Sequence, residues 1–359
     1  MQFVELSFFK KTSLVLVFFL SPTLYGQSEE QIASYLKQNP NADLNGDGNL
    51  TRKEAREHRQ QARQTQQRNT REAPDPTQGD NLASVSNIPG IKISETISPI
   101  MEVPLKSADD IDLSFAYRKP RGDGPFPVIL FFHGGGGYSN LASLKRNLKT
   151  GAVQTRFLKE GFAIVQSTRR PYWKTKANPD KVGYFDSVKD ASLVIEKAKT
   201  LPGIDPDNVV LYGGSGGAIL AIGAASENEL ACVVAGEPAT VLLLAQMTGA
   251  KERPNYTPIM QQPLDHYNGK VKKKTRALLK AIDCPILLLQ GDTKNNLDKI
   301  NNELLIPELK SFNKDISSMR FPGLGHGFYW GTVKTGVDLE TVEKIVKDVT
   351  AYIKELTNR

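Results

Sequence analysis

The 359-residue chain predicts an α/β domain built on a mostly parallel, doubly wound sheet, and three observations carry that prediction. Unbroken apolar runs recur at Val128–Phe132, Phe162–Gln166, Val209–Tyr212, Ala231–Ala235 and Ile286–Gln290. A strand with one face in water alternates, whereas a run that is apolar at nearly every position is covered on both faces. Helical stretches alternate with these runs at Ala152–Lys159, Phe185–Thr200, Gly217–Ser226, Ile300–Asn313 and Leu339–Leu356. That is the order parallel crossover connections need. The third observation is a run that turns straight into a helix at a serine, through Gly213-Gly214-Ser215-Gly216-Gly217.

Taken in order, residues 1–26 read as an export signal. Lys10 and Lys11 precede the apolar core Leu14–Leu20, Ser21-Pro22 breaks it, and Gly26 offers a cleavage point. The apolar core falls short of the roughly 20 residues of a membrane span. A secreted or periplasmic protein with no stable span after cleavage is expected.

Residues 27–66 form a short helical, EF-hand-like appendage. Its loop, residues 43–54, places side-chain oxygens of Asp43, Asn45, Asp47 and Thr51 at ligand positions and the backbone carbonyl of Asn49 between them. Gly48 stands at the sharp turn and Glu54 at the closing bidentate position, so one structural Ca²⁺ is expected. Residues 67–90, rich in Gln, Arg, Asn, Thr and Pro, read as a linker. The formal charge of +7 is modest. The basic tract over 52–72 comes with no nucleic-acid-binding motif, so no nucleic-acid partner is expected.

Residues 91–359 make the main domain. It opens on alternating strand patterns at Ile91–Ile97, Ile100–Pro104 and Ile111–Tyr117. The stretch from about 237 to 283 reads as a small cap insertion over the cleft. Cys232 and Cys284 each open an apolar run and are expected as buried free thiols, since disulfide geometry is restrictive.

Gly213–Gly217 fits G-x-S-x-G in its required strand–turn–helix setting, which makes Ser215 a candidate nucleophile. The helix N-terminus after it favours negative charge on a reacting oxygen. Upstream, a deep strand ends in His133-Gly134-Gly135-Gly136-Gly137, whose backbone N–H groups, with that of Gly216, can hold an oxyanion. A proton acceptor for Ser215 is sought among four histidines. His58 falls in the calcium segment, His133 in the glycine loop and His266 in the insertion. His326 lies in the glycine-rich loop Phe321–Phe328 before the last helix, and is the candidate base. The third member should be a carboxylate that orients the imidazole. Asp292, following the run Ile286–Gln290 through Gly291, is the expected acid, with Glu237 and Asp298 as alternatives.

The order of these motifs resembles the α/β-hydrolase superfamily over residues 91–359. Within it the chain is similar to secreted esterases and to members related to prolyl oligopeptidases and dienelactone hydrolases. The resemblance implies Ser215 as nucleophile, His326 as base, and Gly135, Gly136 and Gly216 as oxyanion donors. It departs from the pattern at the acid. Many relatives carry aspartate three residues after the strand-end glycine, where this chain has Lys294. The expected activity is an exported serine hydrolase of small-molecule or carbohydrate-linked esters. The alternatives are a prolyl oligopeptidase-like peptidase and a non-catalytic, calcium-dependent binding protein. No propeller-sized segment precedes residue 91, which favours esters over gated peptide substrates.

Overall fold

The computed structural model describes Asp43 and residues 96–134, 140–170, 183–248, 259, 261–291, 296–331 and 337–357. The chain divides into two units, Met1–Gly79 and Asp80–Arg359, and every described residue but Asp43 belongs to the second. The export signal, the linker and the calcium-loop residues Asn45, Asp47, Asn49, Thr51 and Glu54 lie outside the described residues.

Eight strands form one sheet: β1 (Met101–Lys106), β2 (Asp112–Arg118), β3 (Phe126–Phe132), β4 (Ala163–Ser167), β5 (Ile204–Gly214), β6 (Cys232–Gly236), β7 (Ile286–Gly291) and β8 (Ile316–Phe321). Their order across the sheet is β1-β2-β4-β3-β5-β6-β7-β8. The β1–β2 and β2–β4 pairs are antiparallel, and every pair from β4 to β8 is parallel. The helices are α1 (Leu141–Thr150), α2 (Ala152–Lys159), α3 (Tyr184–Lys199), α4 (Gly216–Ala225), α5 (Thr240–Met247), α6 (Gly269–Lys280), α7 (the run Asn296–Ile300, Asn301–Leu305 and Ile306–Ser311, with a π turn in its middle) and α8 (Leu339–Thr357).

The unbroken apolar runs are explained by which core each side chain joins. Val128, Leu130 and Phe132 of β3 pack with α3 and α4, while Ile129 and Phe131 pack with α2 and α8. The same split recurs in β5, where Val209 and Leu211 face one core and Val210 and Tyr212 the other, and in β7. Both faces of the sheet are therefore covered, as the sequence predicts. Cys232 and Cys284 are buried free thiols; burial pushes both up, Cys284 to about 11.

Helix α1 has no counterpart among the helices read from the sequence. Asn140 caps it by accepting from the Ser143 N–H at 2.8 Å, and Leu144 and Leu148 bury its inner face. Within 237–283, Leu243 and Met247 of α5 and Leu278 and Leu279 of α6 join the core on the α3/α4 face. Among the described residues, this stretch contributes nothing to the lining of the cleft described below. Among the described residues, no helix is long and apolar enough to cross a membrane.

The winding reverses at β3. The next strand in sequence, β4, lies on its β2 side, and β5 lies on the other. Such a reversal opens a crevice at the carboxyl ends of the strands, where open α/β sheets bind ligands. His133 follows β3 directly and Ser215 follows β5 directly.

Candidate active site

Ser215 sits between β5 and α4 with φ 54° and ψ −118°, a left-handed backbone that a side chain rarely adopts. Such a residue costs on the order of 1–3 kcal/mol and persists only where its surroundings over-determine it. Here they do. The Ser215 N–H donates to the Gly236 carbonyl at 2.8 Å, while the Ser215 carbonyl accepts from the N–H groups of Ala218 and Ala239, each at 3.1 Å. Gly217 lets the helix start press on β3, since a Cβ there would stand 2.0 Å from the Phe132 carbonyl oxygen. The elbow is thereby tied to the ends of both flanking strands.

A cleft of about 570 Å³ opens over this corner, lined among others by His133, Gly134, Ser215, His326, Tyr329 and Trp330. Gly134 abuts the elbow, for a Cβ there would lie 3.2 Å from that of Ser215. Gly135 and Gly136 lie outside the described residues. Gly216 is the first residue of α4, where the backbone N–H groups of a helix have no partner within the helix.

His133 is set apart from proton transfer by its surroundings. Burial, reinforced by the Arg169 charge, pushes its imidazole down to about 4, so it is neutral at neutral pH. Its carbonyl accepts from Arg169 Nη1 at 2.7 Å and its Nδ1 lies 3.0 Å from the Gly134 carbonyl oxygen. These contacts fix the start of the glycine loop.

His326 enters the same cleft, and its Nδ1 lies 2.6 Å from Glu237 Oε2. The Gly327 N–H also donates to that oxygen, at 3.3 Å. Glu237 is wholly buried, whereas the imidazole is 41% exposed. A carboxylate on Nδ1 makes that nitrogen the N–H donor and leaves Nε2 as the acceptor facing the cleft.

Of the three carboxylates named from the sequence, Glu237, held there as an alternative to Asp292, is the one found on the imidazole. Asp292 lies outside the described residues, and Asp298 lies in the first turn of α7. The position on Nδ1 is taken by Glu237, one residue past β6. The reason is reach. β6 is separated from β8 and its His loop by β7, so the carboxyl must cross the end of a neighbouring strand. A glutamate is long enough, and Gly291 at the end of β7 leaves the passage open: a Cβ there would stand 3.0 Å from Glu237 Oε1. The backbone at Glu237 is itself held at φ 40°.

One residue of this site escapes the sequence reading altogether. The Tyr329 hydroxyl lies 3.5 Å from His326 Nε2 and interacts with the Ser215 side chain. Its ring rests on Gly214 and Gly236, where added Cβ atoms would stand 2.0 Å and 2.4 Å from ring carbons. Two glycines at the ends of adjacent strands were the available signal, but nothing in linear order links them to an aromatic residue so far downstream.

The chain is similar to known proteins in sequence and in fold. Residues 115–233 match the BD-FAE family and residues 183–354 the prolyl oligopeptidase family. The quorum-quenching protein AidA of Acinetobacter baumannii is 29% identical over 154 residues, which span 41% of this chain and about half, 48%, of AidA. A Bacteroides ovatus structure described as a dipeptidyl aminopeptidase IV is similar at TM-score 0.55 and 16% identity, over 72% of this chain and 36% of that one. An esterase from Pyrobaculum calidifontis is similar at TM-score 0.51 and 17% identity, over 72% of this chain and 85% of its own. Brefeldin A esterase is similar at TM-score 0.53 and 17% identity, over 73% and 78%. At these identities the structures speak to the fold.

Proposed function

We propose that this serine hydrolase, a member of the α/β-hydrolase superfamily, cleaves carboxylic esters through Ser215, His326 and Glu237. The observation that carries the reading is the 2.6 Å contact between a fully buried carboxylate and the imidazole of the cleft that also holds the strained serine. Ser215 attacks the ester carbonyl and passes its proton to His326 Nε2, while Glu237 holds the tautomer and stabilises the imidazolium. The N–H of Gly216, with those of Gly135 and Gly136, would hold the oxyanion. Water then repeats the sequence on the acyl-enzyme.

A buried carboxylate on Nδ1 of the cleft histidine favours catalysis over the non-catalytic alternative. The cleft wall carries the amides of Asn147, Gln154 and Gln166 beside Trp330. Gln166 is 3% exposed, and its Oε1 has no hydrogen-bond partner among the described residues. Such a wall suits small esters with hydroxyl-bearing parts, including acylated sugars. The match to the prolyl oligopeptidase family supports peptide cleavage as the second reading.

Labelling by a fluorophosphonate, followed by turnover of short aryl esters, acylated sugars and X-Pro peptides, tests both readings. Ser215→Ala is expected to abolish labelling and to cut turnover by about 10⁴–10⁶. An alanine variant that keeps full activity removes the assignment. Turnover of peptides alone selects the second reading.

From the sequence we also propose export through residues 1–26 and one Ca²⁺ in the loop 43–54, apart from the chemistry. Glu54→Gln should weaken calcium uptake by removing a bidentate ligand. Calorimetry with no uptake by the wild-type protein at millimolar calcium would discard the site.

A further inference from the structure

We propose that Tyr329 is a further catalytic residue of this site, its hydroxyl donating a hydrogen bond to the departing alcohol oxygen as His326 protonates it. The inference rests on the ester-hydrolase reading above. Its first support is position. The hydroxyl lies 3.5 Å from His326 Nε2, beside Ser215, and lines the cleft. Those are the two atoms between which the proton must pass, so the leaving oxygen has to come within hydrogen-bond reach of Nε2.

The second support is the way the residue is held. The ring is 1% exposed, seated on the side-chain-free ends of β5 and β6 at Gly214 and Gly236. Its carbonyl accepts from the buried hydroxyl of Tyr212 at 2.7 Å. The His326 and Tyr329 rings meet edge to face, with centroids 5.9 Å apart. Phenylalanine would fill this seat equally well and bring no polar atom to be satisfied. The hydroxyl instead points at the reacting pair.

The third support is chemical. Burial and the nearby Glu237 carboxylate hold this phenol well above its ordinary range. It therefore keeps its proton and serves as a donor, not as a base.

The step balances without any further reactant. The Ser215 proton moves to Nε2 as Oγ bonds to the carbonyl carbon. When the tetrahedral intermediate collapses, the carbon–oxygen bond to the alcohol breaks and its electron pair stays on that oxygen. The Nε2 proton then completes the alcohol, and Tyr329 keeps its own proton throughout. A hydrogen bond of this kind matters most when the leaving oxygen is basic, and least when it departs as a stabilised phenolate.

Tyr329→Phe tests this on a pair of esters of one acid, an ethyl ester and a 4-nitrophenyl ester, with fluorophosphonate labelling as the control for Ser215 and His326. The expected result is a fall of about 10–100-fold in kcat/KM for the ethyl ester, with changes under about threefold for the nitrophenyl ester and for labelling. Equal losses on both esters, no loss on either, or a parallel loss of labelling would overturn the role. Wild-type protein that labels but turns over neither ester refutes the ester reading, and this proposal with it.

Discussion

Two sets of buried carboxylates in this molecule engage basic side chains and do different things. Arg170, three residues past β4 and almost wholly buried, makes a bidentate contact with Asp109 at 2.8 Å and 2.8 Å and a second contact with Asp190 at 2.6 Å through Nη2 and another through Nε. Asp109, closer to the surface, is held well below the usual carboxylate range by Arg170. Asp190 is pushed upward by burial, against the pull of the same guanidinium. The guanidinium itself is driven up by its two partners. Its charge is permanent and Nε, Nη1 and Nη2 all engage carboxylates, so the assembly ties the turn before β2 to α3 and has no proton to exchange. At the other pair the carboxylate is buried more completely, and its partner is an imidazole with Nδ1 engaged and Nε2 facing the cleft. A buried carboxylate becomes chemistry instead of masonry when its partner can change charge and keeps one free face.

The comparison can be broken first at its reactive end. Glu237→Gln keeps the shape and an acceptor for Nδ1 but removes the charge that stabilises the imidazolium. It should lower kcat by about 10²–10⁴, while Asp298→Asn and Asp292→Asn cost far less. Steady-state kinetics on the three variants decides this, and a larger loss at either aspartate would reassign the acid.

Arg170→Met should do the reverse. Leaving two carboxylates without their cation costs about 3–5 kcal/mol of stability. Turnover per folded molecule should hold near wild type. Denaturant unfolding and active-site titration give the two numbers separately, and a large kcat loss in the folded fraction would show that the clamp reaches the chemistry.

The smallest effect sharpens the contrast through pH. His133 titrates near 4 when folded, against 6.5 for a free imidazole. Between those values the unfolded chain binds more protons, so stability is complete above about 6.5 and is lost as pH falls toward about 4. Asp109, held below the carboxylate range, adds its own loss only at lower pH. His133→Asn should flatten the first limb and leave the second. Unfolding midpoints that fall equally in both proteins across that window would exclude His133 as the source.

What the sequence reveals and what it hides divide along a physical line. The sheet was legible because runs such as Val128–Phe132 and Ile286–Gln290 report burial on two faces, a property of contiguous residues. Ser215 and His326 were legible because a tight turn and a glycine loop leave compositional marks on their neighbours. Glu237 left none. Its role depends on reaching past the end of β7, and Gly291, read as a turn that would present Asp292, is the gap that lets the glutamate through. Tyr329 was hidden for the same reason, since its seat is made by Gly214 and Gly236 on two different strands. Helix α1 was missed although its Asn140 cap and its Leu144 and Leu148 pair are local signals.

The placement of Glu237 carries a consequence for how this enzyme can be altered. With Glu237 holding the imidazole from the end of β6, the proposed mechanism asks nothing of the connection after β7. That connection becomes a place where length and sequence can be varied, libraries inserted or a new binding epitope grafted, while the proton passes between Ser215 and His326 Nε2 and Glu237 orients the imidazole from the end of β6.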